Sequence, residues 1–509
     1  MSRTRFLYVL VFVVGTGSLG AEIAVARLMA PFFGASTIVW ANTIGVVLVA
    51  LSLGYWLGGR LADRNPSLQG LCKIVLLAAV LLAAVPFIAR PFFDISVEAL
   101  DSISAGAFVG SLFAVLALVA IPVLLLGAAS PYALRLAVPD VEHAGRIAGR
   151  LYAISTAGSL TGTMLSSLLL IPVVGTQRTF LAFALVIGVT AVAGLGIRFA
   201  PAAAAIAVAL AIPVGTVKAS TDGKVIYETE TETQYAQVVE EADGDRLLEL
   251  NEGQAIHSLY KPGSYLTGRY WDGLIVMPFA ALDRPPERVA ILGNAAGTAA
   301  RMYGHYFPDA RVDGVEIDGE LTEIGRRYFD LSGPNLHTYT DDARPWLRQS
   351  SGDYDVIVVD AYRQPYIPFY LATREFFELV RDRLAQGGVV VVNVGHPEGN
   401  DDLEKAVSAT MADVFPTVIR DPLEDANSLV LGSEAPASPE RLLGAIAILP
   451  DDLKNLAAVE SQRLAPALTG GPVYTDDKAP VEWLVDKSIL GYAGDRGHRQ
   501  EGRGRSRIG

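Results

Sequence analysis

Four short sets of residues in the second half of the chain have the types and spacing to do chemistry. Gly293-Asn294-Ala295-Ala296-Gly297-Thr298 follows the apolar run Val289-Ala290-Ile291-Leu292. A glycine-rich turn after a buried strand lets a ligand approach the backbone and sit at a helix N-terminus, with Gly293 and Gly297 as its contact points. Glu316 lies near the end of a second run, Arg311-Val312-Asp313-Gly314-Val315-Glu316-Ile317-Asp318, where an acid can accept both hydroxyls of a ribose. Asp342 follows Thr338-Tyr339 and is placed to take an adenine amino hydrogen. Asp360 closes Asp355-Val356-Ile357-Val358-Val359-Asp360. Each element alone is a weak signal. The ordered set points to an adenosyl ligand. A nicotinamide dehydrogenase fits less well, because the glycines do not follow Gly-Xaa-Gly-Xaa-Xaa-Gly and no hydride-handling constellation is visible.

These residues need a scaffold that brings strand ends together. The pattern predicts strands at 289–292, 311–318, 338–339, 355–360 and 389–394. It predicts helices from the glycine turn to about Tyr306, over about 319–329 and over 373–384. Alternating strands and helices imply a mainly parallel sheet with ligands at the strands' C-terminal ends. Residues 224–260 alternate apolar and polar around the turns Asp243-Gly244-Asp245 and Asn251-Glu252-Gly253, which reads as a small antiparallel β-region.

The first half is a different object. The chain has 509 residues, of which only 19% are charged, and its net charge of −13 comes wholly from the second half. Residues 1–217 are net positive and strongly apolar. Cys72 is the one cysteine, so a disulfide framework or a Cys-based metal cluster is ruled out. The acidic second half is a poor partner for nucleic acid and a plausible one for cations such as amines. No metal is expected.

Seven stretches approach the roughly 20 apolar residues that a spanning helix needs: about 6–30, 36–58, 72–89, 106–127, 150–172, 178–197 and 199–217. The last is the weakest, being Ala-rich with Pro201 and Pro213. Arg3 and Arg5, then Arg60, Arg64 and Lys73, then Arg135, Arg146 and Arg150 put the N-terminus and the second and fourth loops in the cytoplasm. The third loop carries Asp94, Glu98 and Asp101. Six spans return the chain to the cytoplasm at Arg198, whereas a seventh places the second half outside. Glu22 lies inside the first span near Arg27, either to handle a substrate or proton or to form a structural ion pair.

The expected fold class is a multi-pass α-helical membrane domain followed by an α/β, Rossmann-like, methyltransferase-type domain with a small N-terminal β-region. The expected divisions are 1–217, 218–287, 288–493 and a basic tail, 494–509, read as disordered. The chain is expected in the cell (inner or plasma) membrane with its second half on the cytoplasmic face.

Several motifs carry a resemblance to a known family. Ile291-Leu292-Gly293, Val315-Glu316-Ile317-Asp318, Asp341-Asp342-Ala343-Arg344, Tyr354 to Asp360 and Thr475-Asp476-Asp477-Lys478-Ala479-Pro480-Val481-Glu482-Trp483 make residues 220–490 resemble the spermidine synthases, the polyamine aminopropyltransferases. The segment from Gly54 to Arg64 looks like the loop between the second and third spans of major facilitator transporters. The whole chain thus resembles membrane-fused spermidine synthase-like proteins. Gly158 and Gly162 in the fifth span have the small-residue spacing of close helix packing.

The resemblance implies transfer of an aminopropyl group from decarboxylated S-adenosylmethionine to an amine such as putrescine. It implies that Asp360 deprotonates the amine, that Glu316 binds the ribose and Asp342 the adenine, and that Gln254 lies near the donor. Tyr270 and Asp272 match a Tyr-His-Glu segment that contacts substrate, with Trp271 in place of the His. It leaves a homo-oligomer open.

Two departures stand out. The Asp of the family's Gly-Gly-Gly-Asp-Gly-Gly turn, which faces the aminopropyl ammonium, is here Ala296. The second Asp of the loop after the fourth strand, which grips the far end of the diamine, is Arg363. Two carboxylates are lost and one cation is gained, which disfavours putrescine. Arg363 either meets an anionic acceptor or a carboxyl-bearing donor such as ordinary S-adenosylmethionine, or faces solvent while Tyr362, Tyr366 and Tyr370 form the pocket. The alternatives are therefore a methyltransferase, and a non-catalytic nucleoside- or polyamine-sensing module coupled to a transporter-like membrane domain.

Overall fold

The computed structural model describes residues 2–33, 37–103, 107–139, 141–212, 223–231, 233–250, 255–362, 367–396, 400–424 and 427–481. The chain divides into two compact units: residues 1–219 with 230–234, and residues 220–229 with 235–509.

The first unit is helical. Its elements are α1 (Arg3–Phe33), α2 (Thr37–Arg64), α3 (Leu68–Ile103), α4 (Ala107–Leu118), α5 (Ala120–Gly127), α6 (Ala129–Ala137), α7 (Ala144–Leu165), α8 (Ile171–Leu195) and α9 (Ala200–Leu210). Six described helical stretches are long and apolar enough to cross a membrane: Arg3–Met29, Val39–Arg64, Leu68–Ala89, Ala120–Ala137, Ala144–Leu170 and Val173–Leu195. The weak seventh segment is only partly described. Its helix α9 has 11 residues, about 16 Å of rise against a hydrocarbon core of about 30 Å.

Glycines decide how these helices meet. A Cβ on Gly158 would lie 2.2 Å from the Phe12 carbonyl oxygen, and one on Gly162 would lie 2.0 Å from that of Thr16. The backbones of α1 and α7 therefore touch where α7 carries its Gly-Xaa-Xaa-Xaa-Gly spacing. Gly54 and Gly58 of α2 pack in the same way against the backbone at Leu124 and Ala128.

The structure corrects several expected boundaries. The segment from Gly54 to Arg64 is the last part of α2 rather than a loop, and Asp63 pairs with Arg135 at 3.0 Å. Asp94, Glu98 and Asp101 lie on α3, which runs on to Ile103. The fourth span extends to Ala137 but breaks after Leu118 and after Gly127. Pro122 and Pro131 cause the breaks, because neither can donate to the carbonyl four residues earlier. Glu22 is buried and forms no ion pair with Arg27 among the described residues. Five residues apart on a helix, the two side chains are about 140° around the axis from one another.

The second unit begins with strands β1 (Lys224–Glu230), β2 (Tyr235–Glu240), β3 (Arg246–Leu250) and β4 (Ala255–Tyr260), in the order β1-β2-β3-β4. Pairs β2–β3 and β3–β4 are antiparallel, as the turn signals require. Helix α10 (Tyr270–Val276) then leads into a sheet of eight strands. In chain order these are β5 (Arg288–Leu292), β6 (Arg311–Glu316), β7 (Leu336–Thr340), β8 (Tyr354–Val359), β9 (Leu384–Gly395), β10 (Thr417–Glu424), β11 (Asn427–Ser433) and β12 (Ala465–Pro466). Their spatial order is β12-β10-β11-β9-β8-β5-β6-β7.

The pairs β5–β6, β5–β8, β6–β7 and β8–β9 are parallel, and β11 and β10 add an antiparallel edge. This is the Rossmann-like, methyltransferase-type order, with the switch point between β5 and β8. Helices α11 (Thr298–Tyr306), α12 (Gly319–Tyr328), α13 (Ala343–Gln349), α14 (Arg374–Arg383), α15 (Asp402–Ala412), α16 (Pro439–Ala445) and α17 (Asp451–Arg463) complete the unit. One sheet face packs on α10, α11, α16 and α17, and the other on α13, α14 and α15. The antiparallel edge and the two helices α16 and α17 had no counterpart in the sequence expectation.

Candidate active site

The glycine turn sits at the switch point because its backbone can turn there. Gly293, Ala295 and Gly297 have φ of +92°, +45° and +89°. A Cβ on Gly293 would lie 2.5 Å from both the Asp360 carbonyl oxygen and the Ala361 Cα. Only glycine lets the end of β5 lie against the end of β8. Ala295 holds its left-handed conformation at a cost of about 1–2 kcal/mol. Its N–H donates to the Glu316 carboxylate at 2.8 Å, which offsets part of that cost. The Ala296 N–H donates to Ser258 Oγ at 3.0 Å, and the Thr298 hydroxyl exchanges bonds with the Leu259 backbone, so β4 braces the turn.

Glu316 ends β6 with its carboxylate buried beneath the turn. One oxygen accepts from Ala295 and the other from the Asp318 N–H at 3.0 Å. Burial pushes its pKa up to about 7, and the backbone N–H groups of Asp318, Ala295 and Ile317 pull the other way. Each oxygen keeps a lone pair, which is what two ribose hydroxyls would need. Asp342 caps α13 by accepting from the Arg344 N–H at 3.1 Å, and its other oxygen accepts from the Tyr370 hydroxyl at 2.7 Å.

Asp360 lies just past β8 and is partly buried. The Tyr270 hydroxyl donates to one of its oxygens at 3.0 Å, and the Asn393 amide donates to the other at 2.8 Å. The Trp271 side chain adds a third hydrogen bond. Burial drives the Asp360 pKa up to about 7, and the three donors limit that rise. A carboxyl group so poised can hold or release a proton near neutral pH.

The sequence candidates thus separate. The structure brings Gly293, Gly297, Glu316 and Asp360 together at the strand ends, with Tyr270 bonded to Asp360. Asp342 lies after β7, next to the end of β6, where the Asp341 N–H donates to the Glu316 carbonyl oxygen. Asp272 faces its own loop: its oxygens accept from the Thr267 N–H and hydroxyl and from the Gly268 N–H, all within 2.8 Å. Its observed work is to hold the turn ahead of α10. Ala296 is fully enclosed with Ala236, Val238, Leu248 and Phe329. Tyr370 is tied to Asp342, and Tyr362 donates to the Asn393 carbonyl oxygen at 2.8 Å, so both hydroxyls are committed to scaffolding. Gln254, Arg363, Tyr366, Glu482, Trp483 and the tail arginines lie outside the described residues. Among the described residues, Glu241, Asp243 and Asp245 form an acidic group at the β2–β3 turn whose spacing could hold a metal ion.

Sequence reasoning missed Asn393 and Asn427, and it placed Trp271 beside the site without a bond to Asp360. A signal existed for Asn393, the one polar residue in Val389-Val390-Val391-Val392-Asn393-Val394. It also missed the clamp formed by Arg344, whose guanidinium meets both Asp476 oxygens at 2.7 Å.

Comparison with known proteins follows the same residues. Residues 273–422 match the family model for the spermine/spermidine synthase domain. A probable polyamine aminopropyl transferase of Bifidobacterium longum is 38% identical over 190 residues, which are 37% of this chain and 42% of that protein. A polyamine aminopropyltransferase of Vibrio vulnificus is 33% identical over 152 residues, 29% of this chain and 50% of that one. The chain therefore spans half or less of the length of these two curated relatives. A crystal structure of a probable spermidine synthase from Corynebacterium glutamicum aligns over 50% of this chain and 98% of its own, at 23% identity and a TM-score of 0.38.

Proposed function

We propose that this chain is a membrane-bound aminopropyltransferase of the spermidine synthase type. The observation that carries the reading is Asp360, held by Tyr270, Trp271 and Asn393 with a pKa near 7, beside a turn and an acid suited to an adenosyl group. The domain match and the relatives named above support it. The donor is decarboxylated S-adenosylmethionine, with Glu316 on its ribose, Asp342 on its adenine and the backbone of Gly293 and Gly297 beneath it.

An alkylamine is mostly protonated at pH 7 and cannot attack in that form. Asp360 takes one proton from the acceptor's ammonium and leaves a neutral amine. The amine nitrogen forms a bond to the carbon next to the sulfonium, the carbon–sulfur bond breaks, and methylthioadenosine leaves as a neutral thioether. Because the resemblance puts Arg363 where an Asp would grip the far end of the diamine, the acceptor is an amine other than putrescine. The six long apolar helices support the reading of the first unit as a multi-pass membrane domain.

The test is turnover by the full chain in detergent or nanodiscs, with decarboxylated S-adenosylmethionine and a panel of mono-, di- and triamines. Release of methylthioadenosine with a matching aminopropylated amine is expected. Asp360→Asn should lower kcat/KM by at least about 100-fold. In the parent enzyme the rate should fall as pH drops below about 7, because the base is then protonated. Release of adenosylhomocysteine from ordinary S-adenosylmethionine would overturn the reading in favour of a methyltransferase. Donor binding with no turnover of any amine would overturn it in favour of a sensing module.

A further inference from the structure

Asp360 is not held by its immediate neighbours alone. Asn393 donates its amide N–H to the carboxylate, and its amide oxygen in turn accepts from the Asn427 amide at 3.2 Å. Strands β9 and β11 run antiparallel with Asn427 opposite Gly395 and Leu429 opposite Asn393. Asn427 and Asn393 are thus diagonal neighbours on one sheet face, within side-chain reach. Asn393 is 3% exposed, so solvent does not choose its orientation. An amide has one acceptor end and one donor end. Either end fits the space, but only one suits a carboxylate.

We propose that Asn427 is a positioning residue: by donating to the Asn393 oxygen, it keeps the Asn393 NH2 group turned toward Asp360. The proposal deepens the reading of Asp360 as the base for an amine acceptor and rests on that reading. A base facing three donors stays available as an anion in a site that burial would otherwise keep protonated. Were the Asn393 amide to rotate, its oxygen would face the carboxylate oxygen, and the proton would be held more tightly.

Among the described residues, the titratable groups facing Asp360 are Tyr270 of α10 and Tyr362 of the loop after β8. Burial raises the Tyr362 pKa and the Asp360 charge raises it further, so its hydroxyl stays neutral. Next to Asn427 in β11, Ser428 donates to Glu404, which is paired with Arg420 and lies near His396. Adjacent strand residues face opposite sides of a sheet, so this charged group is not directed at Asn393.

Two substitutions separate positioning from mere packing. Asn427→Leu removes the donor and adds nothing. Asn427→Asp also removes the donor and adds an acceptor, which pulls the Asn393 NH2 group away from Asp360. With the full chain and an active amine, the acidic limb of kcat/KM is expected to move up by about one pH unit in Asn427→Asp. That is a tenfold loss on the acid side of the limb, with little loss at high pH. Asn427→Leu should move the limb by far less. A structural role would move both variants alike through stability, as read by thermal unfolding.

The same pair is read without turnover by infrared difference titration of the carboxyl band that disappears in Asp360→Asn. Its midpoint should rise in Asn427→Asp. Equal midpoints in the parent and in Asn427→Asp, both folded, would overturn the proposal. A parent chain with no aminopropyl transfer overturns the functional reading instead, and the infrared midpoint alone then decides the relay.

Discussion

At the residue scale, Glu316 and Asp360 are carboxyls whose anions burial disfavours and which, among the described residues, hydrogen-bond donors rather than cations support. Glu316 shows the consequence most directly. Its pKa of about 7 means that the apo protein carries a proton there below neutrality. In the proposed function ribose hydroxyls donate to the anion, so ligand binding would compete with that proton. Affinity for methylthioadenosine, which has no aminopropyl group, is therefore predicted to be constant well above pH 7. It should fall toward tenfold per unit as pH drops below 7. Glu316→Gln should weaken binding about tenfold at pH 8 and flatten the dependence, as measured by calorimetry on the full chain.

At the element scale, both units use glycine where backbones must touch, and the two uses differ in kind. Gly293 is needed for its positive φ and its closeness to β8. Gly158 and Gly162 are ordinary helical residues whose missing Cβ lets α7 reach α1. Gly149, on the same helix, has nothing within 4 Å of a would-be Cβ. Gly162→Leu is predicted to destabilise the helical unit by about 1–3 kcal/mol or more through overpacking. Gly149→Leu should leave it unchanged. Thermal unfolding of the two variants in detergent checks the contrast.

At the scale of the whole chain, residues far apart in sequence close the second unit. The segment at 474–478 returns to α13, α14 and α15: Tyr474 bonds to Thr410 and Arg374, and Asp476 bonds to Arg344 and Thr373. Hydrogen bonding to Arg344 holds the Asp476 carboxyl below its usual range. A depressed acid stabilises the fold above its unfolded pKa and loses that contribution as pH falls through its folded value. Asp476→Asn should therefore speed proteolysis after residue 464 at pH 7. The difference from the parent should shrink as pH drops below about 4. Mass spectrometry of the fragments reads both outcomes.

Much of this was legible in the chain itself. Runs of about 20 apolar residues, strand–helix alternation after residue 288, and acids following three of the short apolar runs are local patterns. Local patterns determine element type and the order of the strand ends. They located Glu316, Asp342 and Asp360, because a residue just past a buried strand must lie at a sheet edge. Which partners those acids meet is not local. Trp271 and Tyr270 reach Asp360 across 89 and 90 positions, and Asn427 reaches it through Asn393. The same limit explains Asp272: its spacing fits a substrate ligand, but the fold turns its carboxylate into a loop that needed three acceptor bonds. Element type follows from nearest neighbours, whereas hydrogen-bond partners and pKa values follow from burial and the meeting of distant strands, which only the tertiary structure decides.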